Sequence, residues 1–332
     1  MGLRCSVNTL HAFLFSDFLH KPVWMWLVFL AVVLFLLILD LGVFNRKDHE
    51  IGVKESLLMS VFYIGIGLLF SLWVGKILGQ EKAFEYLTGF VVEKTLAMDN
   101  IFVIAMIFSY FRVPRIYQHR VLFWGILGVI VLRGIMIGVG AKLVSEFEWV
   151  LYLFAAFLIY SGVKMLFKQE DEADIGANPV LRFIRKRIRV TRDFHGHSFL
   201  IYRTNPRTGH KFLYATPLLM ALIFIEIADV IFAVDSVPAV FSITTDAYVV
   251  YTSNIFAILG LRSLYFALSA VISKFHYLKY ALSVVLIFIG AKIFVSEMLH
   301  LVKIPPAVSL GVTLAILAAG IVVSLVKGDK EA

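Results

Sequence analysis

Residues 212–241 read FLYATPLLMALIFIEIADVIFAVDSVPAVF, an apolar stretch that holds three acids and no lysine or arginine. A helix of about 20 apolar residues is long enough to cross the hydrocarbon core of a bilayer. We therefore expect this stretch to be a transmembrane helix. Its acids, Glu226, Asp229 and Asp235, would then lie at membrane depth, where ionisable side chains are rare and usually functional.

Apolar windows of similar length recur on both sides of this stretch. Of the 332 residues, 60% are hydrophobic and 16% are charged, which is outside the range of ordinary soluble domains. The fold class predicted is an all-α polytopic membrane protein with about nine transmembrane helices, and no room is left for a soluble domain of ordinary size. The windows are 23–44, 57–77, 84–111, 121–141, 149–167, 212–241, 248–272, 278–295 and 305–326.

Lysine and arginine in the connections predict the orientation. They are more numerous after the first, third, fifth, seventh and ninth windows than in the alternate connections. Because basic loops stay in the cytoplasm, we expect a multi-pass protein of the cell (inner or plasma) membrane with its N-terminus outside and its C-terminus cytoplasmic.

The chain is predicted to divide into five segments. They are 1–83 with the first two helices, 84–167 as a first three-helix repeat, 168–211 as a cytoplasmic basic loop, 212–295 as a second repeat, and 296–332 with the last helix and tail.

The loop 168–211 carries much of the formal net charge of +8. Within it, residues 179–190 alternate basic and apolar side chains, which is typical of a short helix lying on anionic lipid. A solvated basic linker would show the same composition, and both interpretations stay open. Since the positive charge falls in loops between apolar windows, we expect a lipid partner and no nucleic acid.

An internal repeat relates the two halves of the chain. The segment 97-AMDN-100 matches 233-AVDS-236, and six residues before each aspartate lies another acid, Glu93 or Asp229. Farther on, 132-LRG-134 matches 261-LRS-263, and 157-FLIYSGVK-164 matches 285-VLIFIGAK-292. Because each unit has three helices and the connection between units is predicted to be cytoplasmic, the second copy would run upside down. Inverted repeats of this kind are typical of secondary transporters, which bind substrate near the bilayer midplane.

The membrane-embedded acids need a compensating partner, since each ionised carboxylate near the bilayer centre costs about 2.5–3.5 kcal/mol on insertion scales. Glu226 and Asp229 lie about 60° apart on one helix face and could share one ion, whereas Glu93 and Asp99 lie about 120° apart. Pro238 removes a backbone donor and predicts a local break beside Asp235. Protonation of the carboxylates is an alternative to metal binding.

Oxygen ligands indicate which ion would bind. Carboxylate, amide and hydroxyl groups suit hard cations such as Mn²⁺, Mg²⁺ or Ca²⁺, and Cys5 is the only cysteine, which excludes a Cys-based zinc or iron–sulfur site. An alternative is that Arg133 and Arg262 neutralise some of the acids in buried ion pairs without a transport role. Asp40, near the interface, is expected to be solvated. The candidate metal-binding residues are Glu93, Asp99, Asn100, Glu226, Asp229, Asp235 and Ser236.

The segments 93-EKTLAMDNIF-102 and 226-EIADVIFAVDSVPA-239 resemble the two signatures of the TerC family of integral membrane proteins, and the order of the windows fits its Alx-like branch. The resemblance implies a role in metal-ion homeostasis, with manganese efflux favoured. It assigns the acids of both signatures, together with Asn100, to the functional site. Proton coupling through one of the same acids is compatible with this interpretation.

Other functions stay open beside metal transport. The resemblance also implies tellurium resistance, redox modulation, or the supply of metal to exported proteins, which would involve a secretion or membrane-protein partner. A non-transporting scaffold that acts through the central loop is a further alternative. An enzyme is not expected, since the chain has no nucleophile elbow, phosphate loop or dinucleotide fingerprint in a suitable context. We expect no permanent cofactor, and the divalent ion would be the transported substrate.

Overall fold

The computed structural model describes residues 13–40, 52–167, 190–191, 193–204, 211–268, 278–295 and 304–328, with the backbone alone at a few of them, including Asp99. Two short antiparallel hairpins, β1 Asp17–Phe18 with β2 Lys21–Pro22 and β3 Leu200–Thr204 with β4 Lys211–Ala215, accompany a bundle of helices, which confirms the all-α membrane class. The helices are α1 Val23–Leu39, α2 Val53–Leu78, α3 Gln80–Tyr110, α4 Arg115–Glu146, α5 Trp149–Phe167, α6 Pro217–Phe241, α7 Ala247–Leu259, α8 Leu261–Leu268, α9 Leu278–Ile293 and α10 Pro306–Gly328.

Among the described residues, six helical segments are long and apolar enough to cross a membrane. They comprise α2, α4, α5, α6, the α7–α8 pair and α10, and α1 is a shorter apolar helix. Helix α3 is long enough but carries Glu93, Lys94 and Asp99 near its middle, which lowers its hydropathy. The count of nine spans therefore stays a prediction, although nearly all of the predicted windows coincide with a described helix.

The window 212–241 is wrong at its beginning. Residues up to Ala215 form β4, which pairs with β3, and the helix starts only at Pro217. Proline disfavours helical backbone at the residue before it and is well accommodated at the first helical position. Thr216 is accordingly extended, and its hydroxyl donates to the Ser198 carbonyl at 2.8 Å. The apolar stretch 212–241 is therefore divided between the end of β4 and helix α6.

The predicted break beside Asp235 is also wrong. Helix α6 continues through Pro238 to Phe241, and transmembrane helices tolerate proline because neighbouring groups can satisfy the freed backbone carbonyl. The observed interruption is at Gly260, between α7 and α8, within a window for which we predicted a continuous helix. Lys94 Nζ donates to the Ala257 carbonyl at 2.9 Å and thereby satisfies one acceptor in the last turn of α7.

Helix α7 lies at the centre of the described bundle. Almost all of its side chains are buried, and it packs against α2, α3 and α4. Phe256 contacts Phe29 of α1 and Phe70 of α2 with ring centroids 5.8 and 4.5 Å away. In contrast, α2 exposes a stripe of large apolar side chains, including Leu58 and Leu72, as expected for a helix that faces lipid.

Helices α5 and α9 pack closely through one glycine each. A Cβ added at Gly162 would lie 2.8 Å from the Ser283 carbonyl oxygen, and one at Gly290 would lie 2.7 Å from that of Ala155. The two contacts relate equivalent positions of the predicted repeat, since Ala155 and Gly162 align with Ser283 and Gly290. Reciprocal contacts of this kind are what a twofold axis between α5 and α9 would produce. The repeat itself stays a prediction.

Polar contacts group the helix ends into two sets. At one end, Lys21 before α1 forms an ion pair of 2.8 Å with Asp246, which caps α7. At the other end, Tyr265 of α8 donates to Gln118 in the first turns of α4 at 3.1 Å. The charge pattern predicts that the first end lies outside and the second in the cytoplasm, and this orientation stays a prediction. The central-loop segment 179–189, with its predicted lipid-binding helix, lies outside the described residues.

Candidate cation site

A buried arginine joins the acidic segments of the two halves. Arg133 of α4 donates from Nε and Nη2 to the two carboxylate oxygens of Asp229 at 3.1 and 3.0 Å. Its Nη1 reaches Glu93 Oε1 at 2.5 Å, Ser236 Oγ at 2.8 Å and Asn254 Oδ1 at 3.2 Å. The structure thus brings together α3, α4, α6 and α7 around one guanidinium.

The burial of this cluster explains why it needs so many contacts. Arg133 and Glu93 are each 1% exposed and Asp229 is 6% exposed. Desolvating such charges costs several kcal/mol per ion unless paired groups and further hydrogen bonds compensate. The planar guanidinium can satisfy a carboxylate with two parallel hydrogen bonds, as it does with Asp229. The ion pairing that the sequence left open is therefore observed for Glu93 and Asp229, whereas the absence of a transport role stays untested.

A cavity of about 70 Å³ adjoins the arginine. Its volume can hold a cation with one or two water molecules. The polar lining comes from both halves of the chain, and apolar side chains of α3, α5, α6 and α9 close it. The lining residues are Glu93, Leu96, Asn100, Arg133, Met165, Phe232, Asp235, Ser236 and Leu286.

Two oxygens of the cavity residues are buried without a hydrogen-bond partner, Oε2 of Glu93 and Oδ1 of Asn100. Glu93 therefore gives one oxygen to Arg133 and keeps the other unpaired. Leaving a buried acceptor unsatisfied costs about 1–3 kcal/mol, and more for a charged group. Both residues lie on α3 seven positions apart and hence share one helix face.

Asp235 contributes a second carboxylate to the cavity. Its Oδ1 accepts a hydrogen bond from Ser161 Oγ of α5 at 2.8 Å. It is not among the partners of Arg133, unlike Asp229 six residues earlier on α6. The cavity therefore combines two carboxylates, an amide oxygen and the hydroxyl of Ser236, and these are the ligand types that hard divalent cations prefer.

The other predicted site residues lie outside the cavity or, for Asp99, have a side chain that the structure does not describe. Asp99 lies on α3 beside Asn100, but its side chain is outside the described part. Asp229 gives both oxygens to Arg133. Glu226 does not line the cavity; it lies in a groove between α4 and α6, so that Glu226 and Asp229 do not face a common ion. Within the described residues, no three His, Cys, Asp or Glu side chains form a group that could hold a metal ion by themselves.

The prediction that Asp40 is solvated is wrong. Asp40 is 3% exposed and forms an ion pair with Arg262 at the start of α8. Arg262 therefore neutralises an acid outside both signatures, although its counterpart Arg133 neutralises acids within them. The alignment of the two arginines gave no indication of this difference, because the first two helices lie outside the repeat.

Sequence reasoning did not place Ser161 or Asn254 at this site. Asn254 is fully buried on α7, accepts from Arg133 through Oδ1, and has an unpartnered Nδ2. An amide in an otherwise apolar membrane helix is costly to bury, and this cost could have identified it. Ser161 carries no such signal, since small hydroxyl residues are common in transmembrane helices.

Comparison with known proteins relates the chain to one family of integral membrane proteins. Residues 78–332 match the model of the integral membrane protein TerC family. An uncharacterized membrane protein of Rickettsia bellii is 45% identical over 302 residues, 91% of this chain and 97% of its own length. One from Myxococcus xanthus, STKORF319, is 46% identical over 303 residues, 91% of this chain and 92% of its own length. A Salmonella typhi protein named "Putative membrane-bound redox modulator Alx" is 44% identical over 309 residues, 90% of this chain and 93% of its own length. No solved structure matches the chain significantly.

Proposed function

The chain belongs to the TerC family of integral membrane proteins, and from that premise we propose that it exports a divalent metal ion, with manganese favoured, through the cavity beside Arg133. The ligands would be Glu93, Asn100, Asp235 and Ser236, with Asp99 next to them in sequence. The protein would act in metal-ion homeostasis at the cell membrane, and the metal is its substrate.

The observation that carries the proposal is the excess of negative over positive side chains around the cavity. Glu93 and Asp235 line the cavity, Asp229 pairs with Arg133 beside it, and Arg133 is the one cation in this set of described residues. If all are ionised, two negative charges stay uncompensated, which a divalent cation would neutralise. A purely structural ion pair would not need the unpaired oxygens of Glu93 and Asn100.

The position of the cavity also supports transport. Its ligands lie on α3 and α6, which carry the two signatures, and α5 and α9 close it on the remaining sides. Transporters bind their substrate where two repeats meet and expose it to either side by rocking one against the other. Manganese efflux in this family is the activity that the resemblance of the two signatures implies.

Flux in proteoliposomes tests the proposal. The purified protein should move Mn²⁺ down an imposed gradient, and Asp235→Asn should lower the initial rate at least tenfold while the protein inserts normally. Glu81→Gln is the matched control, because Glu81 is exposed in the first turn of α3, far from the cavity, and its loss should leave the rate unchanged. Repeating the assay with Mg²⁺ and Ca²⁺, with and without a pH gradient, identifies the ion and any proton coupling.

Equal rates for wild type and Asp235→Asn would refute the cavity as the pathway, and no flux of any ion would refute transport. In the second case, redox modulation becomes the stronger candidate, since relatives carry that name. The single cysteine excludes an intrachain dithiol, so a redox role would act indirectly, for example through metal supplied to exported proteins. A scaffold role would instead depend on the central loop, and deleting residues 179–190 would abolish it while sparing flux.

A further inference from the structure

A second membrane-embedded carboxylate site lies outside the cavity. Glu226 lines a groove of about 530 Å³ between α4 and α6, and every other lining residue is apolar. The groove opens at the lipid-facing surface, where Trp124 is half exposed. The lining residues are Trp124, Leu127, Gly128, Leu132, Leu222, Ile223, Glu226 and Ile227.

The carboxyl group of Glu226 rests on a notch made by glycine. A Cβ added at Gly128 would lie 2.5 Å from Glu226 Cδ and 2.7 Å from Oε2. Gly125, nearly one turn earlier on α4, lies beside the same carboxyl group, 3.9 Å from Oε1 by the same measure. Glycine at these positions leaves the space that the carboxyl group occupies, so the backbone of α4 covers the side chain on one side.

Among the residues that the structure describes, no side chain forms an ion pair or a hydrogen bond with Glu226. Oε2 of Glu226 is buried and has no hydrogen-bond partner. From α4 the groove presents an indole, two leucines and a glycine, and from α6 three aliphatic side chains. The nearest charged group on α6 is Asp229, one turn away, which gives both oxygens to Arg133. Arg133 is thus already engaged, and an ionised Glu226 would be an unpaired charge against lipid.

We propose that Glu226 is a proton-binding site, separate from the cation cavity and open to the bilayer through the groove between α4 and α6. A neutral carboxyl group tolerates this apolar surrounding, whereas a carboxylate does not. A role of this site in coupling rests on the proposed function. Helix α6 carries Glu226 together with Asp229, Asp235 and Ser236. Gain or loss of a proton by Glu226 therefore acts on the helix that lines the cavity.

Dicyclohexylcarbodiimide, an apolar reagent that reacts with protonated carboxyl groups, tests the site directly. The acid adds across one C=N bond to give an O-acylisourea, which rearranges to a stable N-acylurea; the carboxyl proton ends on nitrogen and nothing leaves. We expect mass spectrometry of the full-length protein in lipid nanodiscs to find the adduct on Glu226. Labelling should be faster at mildly acidic than at alkaline pH, and Glu226→Gln should abolish it.

Two glycine variants control for the location. Gly128→Ala should raise the labelling rate at least threefold, because the added methyl group pushes the carboxyl group out of the notch toward the lipid from which the reagent arrives. Gly138→Ala on the same helix has nothing within 4 Å and should label like wild type. A Glu226 that resists the reagent, or a Gly128→Ala rate that is unchanged or lowered, would overturn the proposal.

Labelling requires no metal movement, so it separates this site from the proposed function. Adduct on Glu226 without metal flux would leave the proton site standing and remove the transport proposal. Metal flux that Glu226→Gln does not alter, with or without a pH gradient, would remove the coupling role while leaving transport.

Discussion

Arg133 holds together residues that are far apart in the sequence, and its removal has a defined cost. It is the partner of Glu93 and of both oxygens of Asp229, and all three are buried. Breaking a buried ion pair by removing one member destabilises a protein by about 3–5 kcal/mol, because the other member stays behind as an uncompensated charge. The cluster should therefore respond to substitution as a unit.

Arg133→Gln should lower the thermal denaturation midpoint of the detergent-solubilised protein strongly. Arg133→Gln with Asp229→Asn should recover part of this loss, since the second change removes one of the abandoned carboxylates. Asp229→Asn alone should be milder than Arg133→Gln, because Arg133 keeps Glu93. Denaturation midpoints of the three variants and wild type complete the double-mutant cycle, and strictly additive losses would contradict the pairing.

At this scale the sequence indicated which acids matter but not their partners. The membrane-depth rule selected Glu93, Asp229 and Asp235, and the structure brings all three around Arg133 and the adjoining cavity. The rule was wrong for Asp40, because burial near a helix end depends on what packs over it, here Arg262 of α8. It could not separate Glu226 from Asp229, because side chains on one helix face can still reach different neighbours.

At the scale of the elements, hydropathy located the helices and local chemistry decided their ends. The segment 212–215 is as apolar as a transmembrane helix, yet Pro217 begins the helix and leaves these residues to a strand. Gly260 interrupts α7–α8 where the hydropathy continues. Apolar composition measures affinity for lipid and contains little information on backbone hydrogen bonds, which accounts for both differences.

The glycine contacts between α5 and α9 should make that helix pair sensitive to added volume. Gly162→Ala and Gly290→Ala each place a methyl group against backbone of the other helix, which cannot move aside as a side chain can. Overpacking costs about 1–3 kcal/mol. Both variants should lower the denaturation midpoint by similar amounts, whereas Gly65→Ala on α2, with nothing within 4 Å, should not. A large loss for one glycine variant alone would contradict the reciprocal packing.

For the whole molecule, the contacts at the helix ends and the charge pattern agree on which connections share a side. Lys21 with Asp246, and Lys82 with Thr244, join connections that have few basic residues. Tyr117 contacts His197, which joins the start of α4 to the basic central loop. The sequence could predict this grouping because basic residues are retained in the cytoplasm during insertion.

The single natural cysteine can test the sidedness and the parity of the spans together. With the N-terminus outside, Cys5 should react with a membrane-impermeant maleimide added to the outer face of spheroplasts, and Cys5→Ser should not. In the Cys5→Ser background, Lys330→Cys should react only after the membrane is permeabilised, because an odd number of spans puts the two ends of the chain on opposite sides. If both cysteines react from the same side, the number of spans is even and the predicted nine is wrong. If the reactivities are reversed, the number of spans is odd as predicted, but the chain runs through the membrane in the opposite direction and the predicted orientation is wrong.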